Sequence, residues 1–122
     1  MIDVIDLKRR FEGVEVLRGI TTTFETGKVN LIIGQSGSGK TVFLKSLLNV
    51  YQPTSGEILF DGRDINKMSR DEKQILRSEI GTVFQGSALF DSMTVEENIT
   101  FPLDMFTNLS FREKKRRVFE VI

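Results

Sequence analysis

The eight residues GQSGSGKT, Gly34 to Thr41, match the spacing Gly-x-x-x-x-Gly-Lys-Ser/Thr and decide the fold. Glycines at positions 37 and 39 let the backbone turn until successive amides converge. A helix opening near Lys40 adds the partial positive charge of its N-terminus. Candidate anion-binding groups are therefore the backbone and side chains of Gly34, Gln35, Ser36, Gly37, Ser38, Gly39, Lys40, Thr41 and Val42. Lys40 offers a mobile ammonium for terminal phosphates of a nucleotide such as ATP, and the Thr41 hydroxyl a ligand for magnesium. A Gly/Ser-rich turn carrying an exposed lysine is the plainer alternative, but the flanks disfavour it.

Upstream, VNLIIG (29–34) is a nearly continuous apolar run, the pattern of a strand buried on both faces. Downstream, Leu44, Leu47 and Leu48 recur at helical spacing, with Phe43 beside them, until QPTSG (52–56) stops the helix. The loop thus lies between a strand and a helix, the setting its pattern requires. Residues 1–27 alternate apolar and polar positions at Ile2 and Val4, at Val14 and Val16, and at Ile20, Thr22 and Phe24, which predicts short antiparallel strands. Asp61-Gly62 within GEILFDGRDI predicts a hairpin corner. Asp61 closes an apolar run as a magnesium-holding aspartate would, yet the following glycine favours a turn role. Three helix starts carry a hydroxyl residue followed three positions later by glutamate: Ser69/Glu72, Thr94/Glu97 and Ser110/Glu113. Between the first two, IGTVFQ (80–85) reads as another short apolar strand. KKRR, Lys114 to Arg117, reads as the solvated face of the last helix rather than a phosphate patch.

Composition sets the remaining bounds. The 122 residues are 39% hydrophobic and 28% charged, with 17 basic and 17 acidic residues, so net charge suggests neither nucleic acid nor an acidic surface as partner. With no cysteine, disulfides, zinc-thiolate sites and thiol nucleophiles are excluded, and there is no histidine either. No apolar run approaches the roughly 18 residues of a membrane span. Neither a repeat nor a linker divides the chain.

These features resemble the ATP-binding subunit of an ABC transporter from residue 1 to residue 122. The resemblance implies an α/β phosphate-loop NTPase fold: an antiparallel N-terminal β part, then the start of a RecA-like core. FEGVEVLRGI (11–20) is similar to the segment whose aromatic residue stacks on adenine, which makes Phe11 the candidate; a core or edge aromatic is the alternative. IGTVFQ ends at Gln85, the place of the family's Q-loop glutamine. The resemblance therefore implies that Gln85 touches magnesium and the attacking water, beside Lys40 as a catalytic candidate; the alternative is a buried glutamine satisfied by backbone. FQGSALFDSMTVEENITFPL (84–103) is similar to ATPases of lipid-transport systems of the maintenance-of-lipid-asymmetry type, implying a subunit that drives phospholipid movement.

From the family come further expectations. The protein would sit on the cytoplasmic, inner face of the cell membrane as a peripheral subunit, form a homodimer when full length, and dock integral membrane permease subunits through Ser87 to Phe101. The Leu-Ser-Gly-Gly-Gln signature, the catalytic glutamate and the switch histidine do not occur in these residues; Leu109-Ser110 is followed by Phe111-Arg112. The 122 residues are thus expected to be the N-terminal half of one ATP-binding domain, ending before the signature, binding ATP and magnesium without turnover. Two alternatives stay open: a small phosphate-loop kinase or nucleotide switch complete at this length, and a non-hydrolysing ATP-sensing module.

Overall fold

A computed structural model describes all 122 residues, which form two compact units, Met1–Gly81 and Thr82–Ile122. The first unit is built on a four-stranded antiparallel sheet in the order β2-β1-β3-β4, with β1 Ile2–Phe11, β2 Val14–Phe24, β3 Ser55–Phe60 and β4 Arg63–Asp64. Two helices belong to this unit, α1 Lys40–Leu47 and α2 Arg70–Ser78. β1 lies in the middle, pairing Ile2 with Phe24 of β2 on one side and with Phe60 of β3 on the other.

A strictly alternating β1 would put Val4 and Asp6 on the same face. Instead a bulge lies between Val4 and Leu7, where Asp6 takes φ 45°, and the extra residue turns Leu7 inward. Val4 and Leu7 are both buried, while Asp6 stays outside, where its amide donates to the Thr21 hydroxyl at 3.0 Å. The same bulge presses on β3: a methyl group at Gly56 would lie 2.4 Å from the Asp6 carbonyl oxygen.

Sheet residues Val4, Leu7, Leu17, Ile58 and Phe60 form the core with Phe43 and Leu47 of α1, Ile65, and Leu76 of α2. Full burial of side chains such as Leu7 and Ile58 stabilises by about 1.5–3 kcal/mol each. The apolar spacing in α1 pointed to Leu44, Leu47 and Leu48, with Phe43 beside them. The inward face is in fact Phe43, Ser46 and Leu47, with Leu44 left half exposed. Ser46 is accommodated there because its hydroxyl donates to the Val42 carbonyl at 2.8 Å.

The Asp61-Gly62 corner joins β3 to β4 as expected. Both residues have positive φ, 48° and 79°, the backbone of a two-residue hairpin turn whose twist suits the flanking strands. The two predicted buried strands are a correction. Residues 29–33 and 80–84 join no ladder, and Val29 (101% exposed), Leu31 (83%), Ile33 (81%) and Val83 (97%) face outward. A strand forms only against a partner, and neither segment pairs with any strand of this sheet.

The second unit contains α3 Val95–Phe106 and α4 Phe111–Val121. All three anticipated capping boxes are present, at Ser69/Glu72, Thr94/Glu97 and Ser110/Glu113, each with hydroxyl and carboxylate reciprocally bonded. Lys114 of the basic run reaches across to Asp104 of α3 at 2.7 Å, and Arg117 pairs with Glu120 of its own helix at 3.1 Å. The run is therefore a solvated face with one interhelical tie. Val118 is buried, while Phe111 and Phe119 are exposed. No helix is long and apolar enough to cross a membrane.

Candidate functional site

The phosphate-loop pattern occupies the exposed connection that ends at α1. Gly39 is the N-cap of this helix with φ 98°, a conformation that glycine adopts without the steric cost a side chain would bring. It also lies close to β2: a methyl at Gly39 would sit 3.2 Å from Val16 Cγ1 and 3.4 Å from the Val16 carbonyl. The sheet thereby fixes where the helix begins.

α1 differs from the other three helices in having no side chain bonded over its start. The amides of Gly37, Gly39, Lys40, Thr41 and Val42 find no backbone acceptor, whereas the Ser38 amide closes a turn onto the Gln35 carbonyl at 3.2 Å. Five N–H groups around a helix N-terminus are a good match for the oxygens of a phosphate chain. Lys40 is oriented by the same loop. Its Nζ donates to the carbonyls of Gly34 and Gln35, both at 2.7 Å, leaving one of its three N–H bonds for an external acceptor.

A cavity of about 500 Å³ opens beside the loop, but most of its wall is apolar, made by Leu17, Ile20, Phe24, Leu31, Ile33 and Phe43. Aliphatic walls do not stabilise a multiply charged anion. Gly34, Ser38, Gly39 and Lys40 close one side of the same cavity, so the open amides and the Lys40 ammonium stand at the edge of an otherwise apolar wall, and the exposed side of residues 34–42 is the candidate anion-binding face.

Magnesium takes oxygen ligands and commonly keeps only one or two from protein, the rest coming from water and phosphate. The Thr41 hydroxyl fits that requirement, since it lies in the first turn of α1 and makes no hydrogen bond to the protein. Gln85 lies in the second unit, exposed, with no hydrogen bond to its side chain, so it is not a buried glutamine satisfied by backbone.

Phe11 ends β1, opposite Val14. Its ring meets Tyr51 edge to face at 5.3 Å, and the Arg9 guanidinium carbon stands 4.4 Å from its centroid. Arg9 is held in turn by donating to the Gln52 carbonyl. Arg9 and Tyr51 thus orient a half-exposed aromatic surface by quadrupole and cation–π attraction. Neither was singled out from sequence, because a lone arginine and tyrosine about forty positions apart carry no local pattern.

In the second unit, Leu89 and Phe90 are exposed ahead of α3, and the Phe90 ring meets Phe101 at 4.7 Å. Asn98 also went unnoticed in the sequence. Its side chain accepts from the Phe90 amide at 2.8 Å and donates towards the carbonyls of Phe90, Met93 and Thr94 at 3.0–3.2 Å.

The sequence matches the ABC transporter family over residues 17–122. It is 39% identical over 122 residues to the methionine import ATP-binding protein MetN of Rhizobium johnstonii, covering 100% of this chain and 33% of that protein. It is 38% identical over 119 residues to the probable ribonucleotide transport ATP-binding protein mkl of Mycobacterium bovis, covering 98% and 33%. A dimeric structure of a bacterial ABC transporter cassette superposes with a TM-score of 0.86 at 28% identity, over 98% of this chain and 55% of that one. The chain spans about one-third of the length of these curated relatives and about half of the solved cassette.

Proposed function

The chain belongs to the ABC transporter family, and from that premise we propose that it is the N-terminal half of the ATP-binding domain of a subunit that drives transport. The observation that carries the proposal is the uncapped start of α1, where open amides and the Lys40 ammonium converge. Residues 34–42 bind the phosphates of ATP, Lys40 neutralises their terminal charge, and the Thr41 hydroxyl holds magnesium. Bound magnesium screens phosphate charge during phosphoryl transfer to water. Phe11 offers its ring to the adenine, and Gln85 serves magnesium and the attacking water in the complete enzyme.

Because the relatives are about three times as long, turnover is assigned to the full-length subunit and ATP binding to these residues. The subunit works as a homodimer on the cytoplasmic face of the membrane, with residues 87–101 docked on its permease. Exposed Leu89 and Phe90 support that docking surface, since apolar side chains grouped on a loop mark an interface. For the cargo, the stretch 84–103 supports a phospholipid. A second reading, a small polar solute, is favoured by the methionine and ribonucleotide in the relatives' names.

The test is calorimetry with ATP and magnesium on the 122-residue chain, alongside steady-state hydrolysis by chain and full-length subunit. Binding by both with turnover only by the latter is expected. Steady hydrolysis by the pure chain, lost on Lys40→Ala, would instead establish a complete small enzyme. Cargo is decided by whether phospholipid, methionine or a ribonucleotide stimulates the ATPase of the assembled transporter.

A further inference from the structure

The geometry points to Asn98 as a positioning residue for coupling: one side-chain amide clamps the loop that presents Leu89 and Phe90 onto the first turn of α3. This inference rests on the docking role proposed above for residues 87–101.

Asn98 stands four positions after the N-cap Thr94, and its backbone amide makes the ordinary helical bond to the Thr94 carbonyl at 2.9 Å. Its side chain does something else. Oδ1 takes the Phe90 amide at 2.8 Å, while Nδ2 stands 3.2 Å from the Phe90 carbonyl, 3.1 Å from Met93 and 3.0 Å from Thr94. Two N–H bonds are thus shared among three carbonyls, of which those of Phe90 and Thr94 also accept a backbone amide. Both polar groups of Phe90 are bound by the same side chain, so its backbone is fixed at two points. The Met93 amide closes the intervening turn onto the Phe90 carbonyl at 3.2 Å, and the Phe90 ring rests on Phe101 of α3.

Only an amide of this length can act both as the acceptor and as the paired donor. Aspartate keeps the volume and the acceptor but turns the three carbonyl contacts repulsive, and alanine removes both. The capping box of Thr94 and Glu97 secures the helix start independently, so losing Asn98 frees the loop while α3 stays formed. A loop so freed presents Leu89 and Phe90 in many orientations, and ordering it again on docking costs affinity.

The experiment uses the full-length subunit with its permease and the variants Asn98→Ala, Asn98→Asp, Leu89→Ala and Asn98→Ala/Leu89→Ala. Loss of the clamp is expected to lower permease-stimulated ATPase by about tenfold, the equivalent of one charged or two neutral hydrogen bonds. Affinity of the free subunit for ATP with magnesium should stay within about twofold, because only the loop ahead of α3 is altered. Amide exchange at Phe90 should quicken in Asn98→Ala and remain slow in Asn98→Asp, which still offers an acceptor. In the double variant the two losses should overlap instead of multiplying, since both act through the same contact. If Leu89→Ala alone leaves stimulation and assembly intact, the docking surface itself is refuted. If Leu89→Ala is damaging but Asn98→Ala and Asn98→Asp leave stimulation unchanged, or the losses multiply fully, docking stands and the clamp is refuted.

Discussion

Replacing Lys40 by methionine keeps most of the unbranched stem of the side chain and removes its charge, which makes it a sharp probe of the loop. In the structure two of the three ammonium N–H bonds are committed to the Gly34 and Gln35 carbonyls at 2.7 Å. If both are kept when a nucleotide arrives, only the remaining N–H counts towards binding. One charge-assisted hydrogen bond contributes about 1.5–3 kcal/mol, equivalent to about 10- to 150-fold in affinity. The Lys40→Met variant should therefore bind ATP with magnesium that much more weakly, in calorimetric titrations of both the chain and the full-length subunit. The loss should shrink as salt is raised, because the loop is open to solvent and the screening length falls from about 10 Å at 0.1 M to about 3 Å at 1 M. A dissociation constant unchanged within about twofold would refute the reasoning. It would mean that the open amides at α1 do the binding and that Lys40 only braces the loop.

Two further outcomes follow from the fold. Gly56→Ala forces a side chain into left-handed backbone, φ 96°, and into the Asp6 carbonyl, so it should destabilise by about 2–5 kcal/mol in urea unfolding followed by circular dichroism; a loss below about 0.5 kcal/mol would show that the β1 bulge moves aside freely. Glu72 and Glu97 are held below the usual carboxylate range by the backbone amides of their caps, and Glu113 chiefly by the Ser110 hydroxyl. A depressed folded pKa gives stability that is full above the unfolded value, about 4.3, and is lost as pH falls through the lower folded value. Exchange of the Ser69, Thr94 and Ser110 amides should thus show intact caps from pH 7 to about 5 and opening only below the ordinary glutamate range; opening at the ordinary glutamate midpoint would contradict the bonded geometry.

What could be read in advance was whatever depends on neighbours along the chain. Each capping box needs only a hydroxyl and a glutamate three residues apart, and the Asp61-Gly62 corner needs only its own two residues. The phosphate loop belongs with them, since glycine spacing, lysine and threonine are contiguous. Pairing in a sheet is a different matter. Residues 29–33 have the composition of a buried strand, but composition does not show whether a partner strand pairs with them, and none does. The bulge at Asp6 was equally hidden, because alternation alone places it on the face of Val4. Asn98 escaped notice since asparagine within a helix reads as an indifferent surface residue. Its position four residues past a cap, behind a loop rich in Leu and Phe, was the signal available.

The order of pairing in the sheet also bears on synthesis. Every strand partner lies within the first 64 residues, so the antiparallel part can close while later segments are still emerging from the ribosome. That closure leaves Val29, Leu31 and Ile33 outward, an apolar run with unpaired backbone presented by a framework already formed. For as long as those residues stay uncovered they are a template for strand addition by any neighbouring chain. A holdase that recognises short aliphatic segments would find its target at 29–33, and coexpression with such a chaperone should raise the yield of soluble protein.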